Sequence, residues 1–245
     1  TEESTKTEET AKEETSSQEE TETKAASSDS DNVASEEEAE KAGFSDGSDE
    51  KSDSADTDSE NKDSSDSSTT SVLLDTSKEL TGIHHAEIEV KDYGTIDVEL
   101  DADTAPITVT NFVKLAQEGF YDGLTFHRIM EGFMIQGGDP NGDGTGGSEE
   151  NIKGEFSNNG VDNDISHTRG TISMARASDP DSASSQFFIV QADSTFLDGD
   201  YAGFGHVTEG MDIVDKICED AKPTDDNGTI PSDQQPVIEK ITITD

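Results

Sequence analysis

The residues most able to do chemistry lie in the stretch Phe126-His127-Arg128-Ile129-Met130-Glu131-Gly132-Phe133-Met134-Ile135-Gln136-Gly137-Gly138-Asp139. Arg128 and Gln136 stand there as polar heads among bulky apolar neighbours. If residues 124–129 and 133–136 pair as adjacent strands about a turn at Glu131-Gly132, both heads project into one apolar groove. Further on, Ser185-Gln186-Phe187-Phe188-Ile189 and Phe196-Leu197-Asp198-Gly199 supply aromatic and aliphatic walls with another amide. An apolar pocket with a few placed donors suits a neutral, weakly polar ligand.

Other chemistries fit these residues less well. Asp139-Pro140-Asn141-Gly142-Asp143-Gly144, with Glu150 after it, matches the EF-hand pattern letter for letter. An EF-hand needs a helix on each side of its loop, whereas this loop follows a strand pattern, so no metal is expected. The same glycines are not followed by Gly-Lys-Ser or Gly-Lys-Thr, which argues against a phosphate cradle. His84 and His85 adjoin a strand pattern in which neighbours point to opposite faces, so they read as surface or edge histidines. Alternation likewise turns His127 away from the groove that Arg128 faces. Cys218, the single cysteine, excludes an internal disulfide, and beside Ile213, Val214 and Ile217 on one helical face it reads as a buried, inert thiol.

The elements that must hold the groove follow from periodicity. Ala86, Ile88 and Val90 alternate with charged residues and, after Asp92-Tyr93-Gly94, so do Ile96, Val98 and Leu100, which predicts a β-hairpin. Pro106 in a first turn behind Asp103 and Thr104, apolar residues at Val109, Phe112, Val113 and Ala116, and Gly119 beyond them predict an amphipathic helix. Short strands are predicted over 124–129, 133–136, 171–175 and 186–191, a second helix over 211–219, and a final strand around Ile241 and Ile243. Two helices with about eight strands point to a mainly β closed barrel with capped ends.

The first third of the chain has a different composition. Residues 1–70 hold 24 acidic residues against 6 lysines, with Phe44 the only aromatic, and the whole chain carries a formal charge of −42. Such a segment cannot bury enough apolar area to offset the entropy of ordering it. Residues 1–81 are therefore expected to be a disordered acidic tether and residues 82–245 the globular domain. The charge disfavours nucleic acid and anionic membranes as partners and favours a monomer. No apolar run is long enough to span a bilayer. A Glu/Ser/Thr tether starting at Thr1 rather than Met suggests a trimmed, exported cell-surface lipoprotein, held to the membrane only through a lipid anchor upstream of Thr1; a cytoplasmic protein is the alternative.

Over its globular part the sequence resembles the cyclophilins. The Phe126 to Asp139 string, the Gly144-Thr145-Gly146-Gly147 turn and the Ser185 to Ile189 run occur in that family's order and spacing. The resemblance implies a closed eight-stranded antiparallel barrel capped by two α-helices. It also implies a peptidyl-prolyl cis-trans isomerase that acts on proline-containing polypeptides and assists their folding, with no cofactor. It makes Arg128 the catalytic arginine and Gln136 its partner in orienting the substrate. Phe133, Met134, Phe188 and Leu197 would line the proline pocket, and Ala175, Arg176 and Gln186 would lie along the bound peptide. Phe196 stands where a tryptophan is usual and Tyr201 where a histidine is usual. Phe196 lacks an indole N–H, so weakened cyclosporin affinity is expected. The competing expectations are a proline-peptide binding module, or a cell-surface tether, with little need for turnover.

Overall fold

The computed structural model describes residues 73–245, so most of the acidic tether expected over 1–81 lies outside the described residues. Of that segment, Leu74 and Leu80 pack against the main core while Leu73 faces solvent. Their backbone N–H groups donate to Gln117 Oε1 and Thr110 Oγ1, both at 2.8 Å.

Eight antiparallel strands form one curled sheet, accompanied by two helices. Strands β1 (Ile83–Val90) and β2 (Gly94–Asp101) make the expected hairpin, with Ala86, Ile88, Val90, Ile96, Val98 and Leu100 all buried. Helix α1 (Pro106–Gln117) follows, then β3 (Thr125–Met130), β4 (Met134–Asp139), β5 (Thr171–Met174), β6 (Phe187–Val190), β7 (Gly203–Glu209), helix α2 (Met211–Asp220) and β8 (Ile238–Ile243). The spatial order is β3-β4-β6-β5-β7-β2-β1-β8. Between the two ends of that order, the Phe126 N–H donates to Pro236 O at 2.9 Å and the Ile238 N–H to Leu124 O at 2.8 Å. In the interior, Phe112 packs on Tyr121, Phe187 and Phe204 with ring centroids 5.2 to 5.5 Å apart.

Strand β7 is absent from the periodicity reading. Its sequence, Gly-Phe-Gly-His-Val-Thr-Glu, carries two glycines and little alternation. Gly205 is nonetheless a strand residue, because a Cβ there would stand 2.1 Å from Glu99 O on the neighbouring β2. This glycine marks a close backbone approach rather than a turn. In α2, Val214, Ile217 and Cys218 are buried as the helical face predicts, and burial pushes the Cys218 thiol up to about 12.

Helix α1 is capped from a distance. Asp101 accepts bonds from the Asp103 and Thr104 N–H groups, shaping the turn before the helix, and Ala105 at the cap position offers no side-chain acceptor. The acceptor is Glu155, only 2% exposed, which takes the Ile107 N–H at 3.1 Å, the Thr108 N–H at 2.8 Å and the Thr108 hydroxyl at 2.7 Å. A carboxylate here meets both the unpaired donors of the first turn and the positive end of the helix dipole. Glu155→Ala leaves those donors buried without partners and is expected to cost about 3 kcal/mol. A urea melt checks this: a loss below about 1 kcal/mol would show that the cap is not what holds α1.

Candidate functional site

Strands β3 and β4 pair with Arg128 directly opposite Gln136. The register slips between Phe126 and Arg128, a bulge that inserts an extra residue on β3. Strict alternation would place Phe126 and Ile129 on opposite faces. With the bulge both enter the main core, and Arg128, Met130, Met134 and Gln136 are left on the other face.

The Arg128 guanidinium is held on three sides. Its Nη1 donates to Gln136 Oε1 at 3.2 Å, its Nε to the Asn227 carbonyl at 2.7 Å, and its Nη2 lies 3.4 Å from the Met130 sulfur. The Asn227 carbonyl reaches it because residues 225–230 fold along β3. The Ile129 N–H bonds to Gly228 O and the Ile230 N–H to His127 O, both at 2.9 Å. Gly228, at φ +86°, has no room for a side chain: a Cβ would meet Met130 Cγ at 2.5 Å and Ile129 O at 2.7 Å. From Arg128 the polar chain continues: Gln136 Nε2 donates to Gln186 Oε1 at 2.9 Å, and Gln186 Nε2 to Gly146 O at 2.7 Å and Gly144 O at 3.1 Å. The glycine-rich loop is thus the far anchor of the arginine. Its Asp139 carboxylate accepts the Asn141, Asp143 and Gly144 N–H groups. Those bonds shape the loop, and among the described residues no group of three or more His, Cys, Asp or Glu is placed to hold a metal.

Beside this polar chain lies a second apolar cluster, separate from the main core. Met134, Phe188, Val190 and Leu197 are buried in it, with Met130, Phe133, Ala175 and Tyr201 packed around them. Phe133 sits in the β3–β4 turn, not in a strand, and is pinned by Gln191, whose side chain accepts the Gly132 N–H at 2.6 Å and whose N–H donates to Phe133 O at 2.7 Å. Phe196 is 64% exposed and stacks on Phe133 with centroids 5.6 Å apart. The Ala175 N–H is spent on Gln186 O at 2.9 Å. The Arg176 guanidinium lies over the rings of Phe156 and Tyr201, at 5.1 and 4.8 Å. All eleven residues singled out from the sequence therefore border one patch.

Behind the patch stands an arrangement that sequence reasoning missed. His167 is fully buried, with Nδ1 2.9 Å from Asp198 Oδ1 and Nε2 2.9 Å from Ser173 Oγ, and its ring is stacked 6.0 Å from Phe188. Serine, histidine and aspartate occur here in the order of a hydrolytic triad, but Ser173 is wholly buried and no substrate reaches it. The arrangement backs Phe188, against which the His167 ring is stacked. Burial pulls the His167 pKa down, outweighing the Asp198 bond that would raise it. His127 is buried as well, at 4% exposure beneath the glycine loop, and neither ring nitrogen has a hydrogen-bond partner among the described residues. Burial lowers its pKa too, against the opposing pull of Asp139.

These two histidines give a signed pH dependence. A folded pKa below the unfolded value means the unfolded chain binds more protons through that window. Their contribution is complete above the unfolded value of about 6.5 and is lost as pH falls through it. Stability should fall between about pH 7 and about pH 5 by up to about 1.4 kcal/mol per unit for each histidine, and His127→Leu should remove its share of that slope. Urea midpoints across the range check this, and an unchanged slope in the variant would contradict it.

Comparison with known proteins places this geometry in context. The family model described as cyclophilin type peptidyl-prolyl cis-trans isomerase/CLD matches residues 85–245. Peptidyl-prolyl cis-trans isomerase A of Dickeya dadantii is 45% identical over 135 residues, covering 51% of this chain and 67% of its own. Peptidyl-prolyl cis-trans isomerase B of Bacillus subtilis is 48% identical over 125 residues, covering 51% and 84%. A crystal structure of a Cryptosporidium parvum cyclophilin type isomerase in the presence of the dipeptide Ala-Pro superposes with a TM-score of 0.58 at 30% identity, covering 66% of this chain and 99% of that one.

Proposed function

The chain belongs to the cyclophilin-type peptidyl-prolyl cis-trans isomerases and catalyses X-Pro isomerisation, and we propose that Arg128, oriented by Gln136, carries the reaction at the patch described above. The observation behind this is the 3.2 Å cross-strand bond from Arg128 to Gln136 at the edge of the Met134, Phe188 and Leu197 surface. The patch supplies an apolar seat for a proline ring. The guanidinium supplies a fixed positive donor beside it.

Rotation about a peptide bond breaks amide resonance at a barrier of about 18 to 20 kcal/mol. In the twisted state the proline nitrogen becomes pyramidal and regains a localised lone pair. A guanidinium near it is worth more there than in the planar ground state, and that difference lowers the barrier. No proton is transferred, so His127, whose ring nitrogens have no hydrogen-bond partner among the described residues, is not needed as a base. Phe133, Met134, Phe188 and Leu197 hold the ring while the preceding part of the peptide turns. Because the Ala175 N–H is spent internally, the Ala175 carbonyl is the group left to pair with the peptide backbone, with Gln186 and Arg176 alongside.

Three finer readings accompany this. The hydrogen bonds between the ends of the strand order support a closed barrel. All six prolines lie at or beyond Pro106, so residues 1–81 offer the site no X-Pro bond of their own and suit a spacer. The tract's composition supports an extracytoplasmic address for an enzyme that assists folding there, which fractionation of cells producing the full-length protein would test.

Arg128→Ala is expected to lower kcat/KM by at least about 100-fold with an unchanged circular dichroism spectrum. Near-normal turnover of a proline test peptide would refute the assignment. Phe196 keeps apolar contact but offers no N–H, so cyclosporin is expected to inhibit weakly and Phe196→Trp to tighten inhibition by about tenfold. Equal inhibition of the two forms would remove Phe196 from the account.

A further inference from the structure

Arg176 differs from the other cations at the site. Its planar head lies against two rings, Phe156 and Tyr201, its Nε donates to Asp200 O at 2.9 Å, and its Nη1 donates to Ala177 O at 2.9 Å and Ser178 O at 3.4 Å. Among the described residues no carboxylate lies within 4.0 Å of it, and Nη2 makes no hydrogen bond. Arg169, by contrast, is engaged by both oxygens of Asp215, at 2.7 and 2.8 Å. In a chain with 58 acidic residues against 16 basic ones, a fixed arginine without an anion is conspicuous.

The nearby carboxylates are turned elsewhere. Asp200 accepts from Asn158 Nδ2 at 2.8 Å, Asp181 from the Gly154 N–H and Asn159, and Asp179 from the Asp181 N–H. Arg176 also sits close to the reacting patch, since Tyr201, on which it stacks, packs edge-on against Phe188 with centroids 5.9 Å apart. A guanidinium already oriented by two rings and three carbonyls loses little freedom when it binds an anion.

We propose that Arg176 is a specificity-determining residue, a preorganised carboxylate receptor at the rim of the proline pocket that gives the enzyme a preference for clients bearing Asp or Glu close to the isomerising proline. This rests on the placement of the substrate groove given above and names the substrate class that groove selects. The protein's overall negative field works against acidic peptides at long range. Arg176 reverses that preference at short range, where the contact is direct.

The test is a panel of short proline peptides with Glu, Gln or Lys at each position flanking proline, assayed with the full chain. At one position Glu should exceed Gln by about three- to tenfold in kcat/KM, and the advantage should shrink with added salt. In Arg176→Gln the Glu to Gln ratio should fall to about one, and Arg176→Lys should keep only part of it. A wild-type ratio near one at every position, or a ratio unchanged in Arg176→Gln, overturns the receptor while leaving the groove assignment standing. Failure of the wild-type chain to turn over any peptide would overturn the groove assignment and the receptor together.

Discussion

The hydrogen bond between Arg128 and Gln136 is the interaction around which the rest of the site is arranged. A donor that stabilises a transition state is effective when it is already aimed before the reaction, because reorganising it would consume the advantage. Arginine has a long side chain with many rotamers, so aiming it requires several fixed partners. Here they come from four parts of the chain: Gln136 on the partner strand, Asn227 in the loop after α2, Met130 on the same strand, and Gln186, which ties Gln136 to the glycine-rich loop. The β3 bulge and the glycine at 228 are local departures from regular structure that make this approach geometrically feasible.

Much of this was legible in the sequence, and the rest was not for identifiable reasons. Arg128, Met130, Met134 and Gln136 share a face because strands have a period of two, and the hairpin of β1 and β2 shows the same signal. The helix boundaries near Pro106 and Met211 follow from turn chemistry and an apolar face. Strand β7 escaped because Gly205 reads locally as a turn residue, and the constraint that requires it lies on another strand. Glu155 escaped because its helix lies 47 residues away, so no local capping pattern exists. Asn227 contributes only its backbone carbonyl, which carries no residue preference. His167, Asp198 and Ser173 converge from three segments, and nothing in their spacing signals the contact.

The outer wall is where the sequence departs from the residues that its resemblance to the cyclophilins leads one to expect. Phe196 stacks on Phe133 and exposes most of its surface, while Tyr201 is clamped between Phe188 and the Arg176 guanidinium. The Tyr201 ring gives Arg176 a face to lie on, so tyrosine and arginine act together at this rim, while Phe196 packs separately on Phe133. A polar rim built on a rigid apolar floor separates the two tasks of the site. In the proposed reading the floor receives proline, and the rim discriminates among what surrounds it.

If catalysis depends on an arginine aimed by a chain of amides, it should respond to a change at the link that does not touch the arginine. Gln186→Leu breaks the chain between Gln136 and the glycine-rich loop while leaving Arg128 and its charge in place. Exchange spectroscopy on a proline peptide measures the catalysed cis–trans rate in wild type and variant. A fall of at least about tenfold with the fold intact is expected; a rate within about twofold of wild type would show that the amide chain does not aim Arg128.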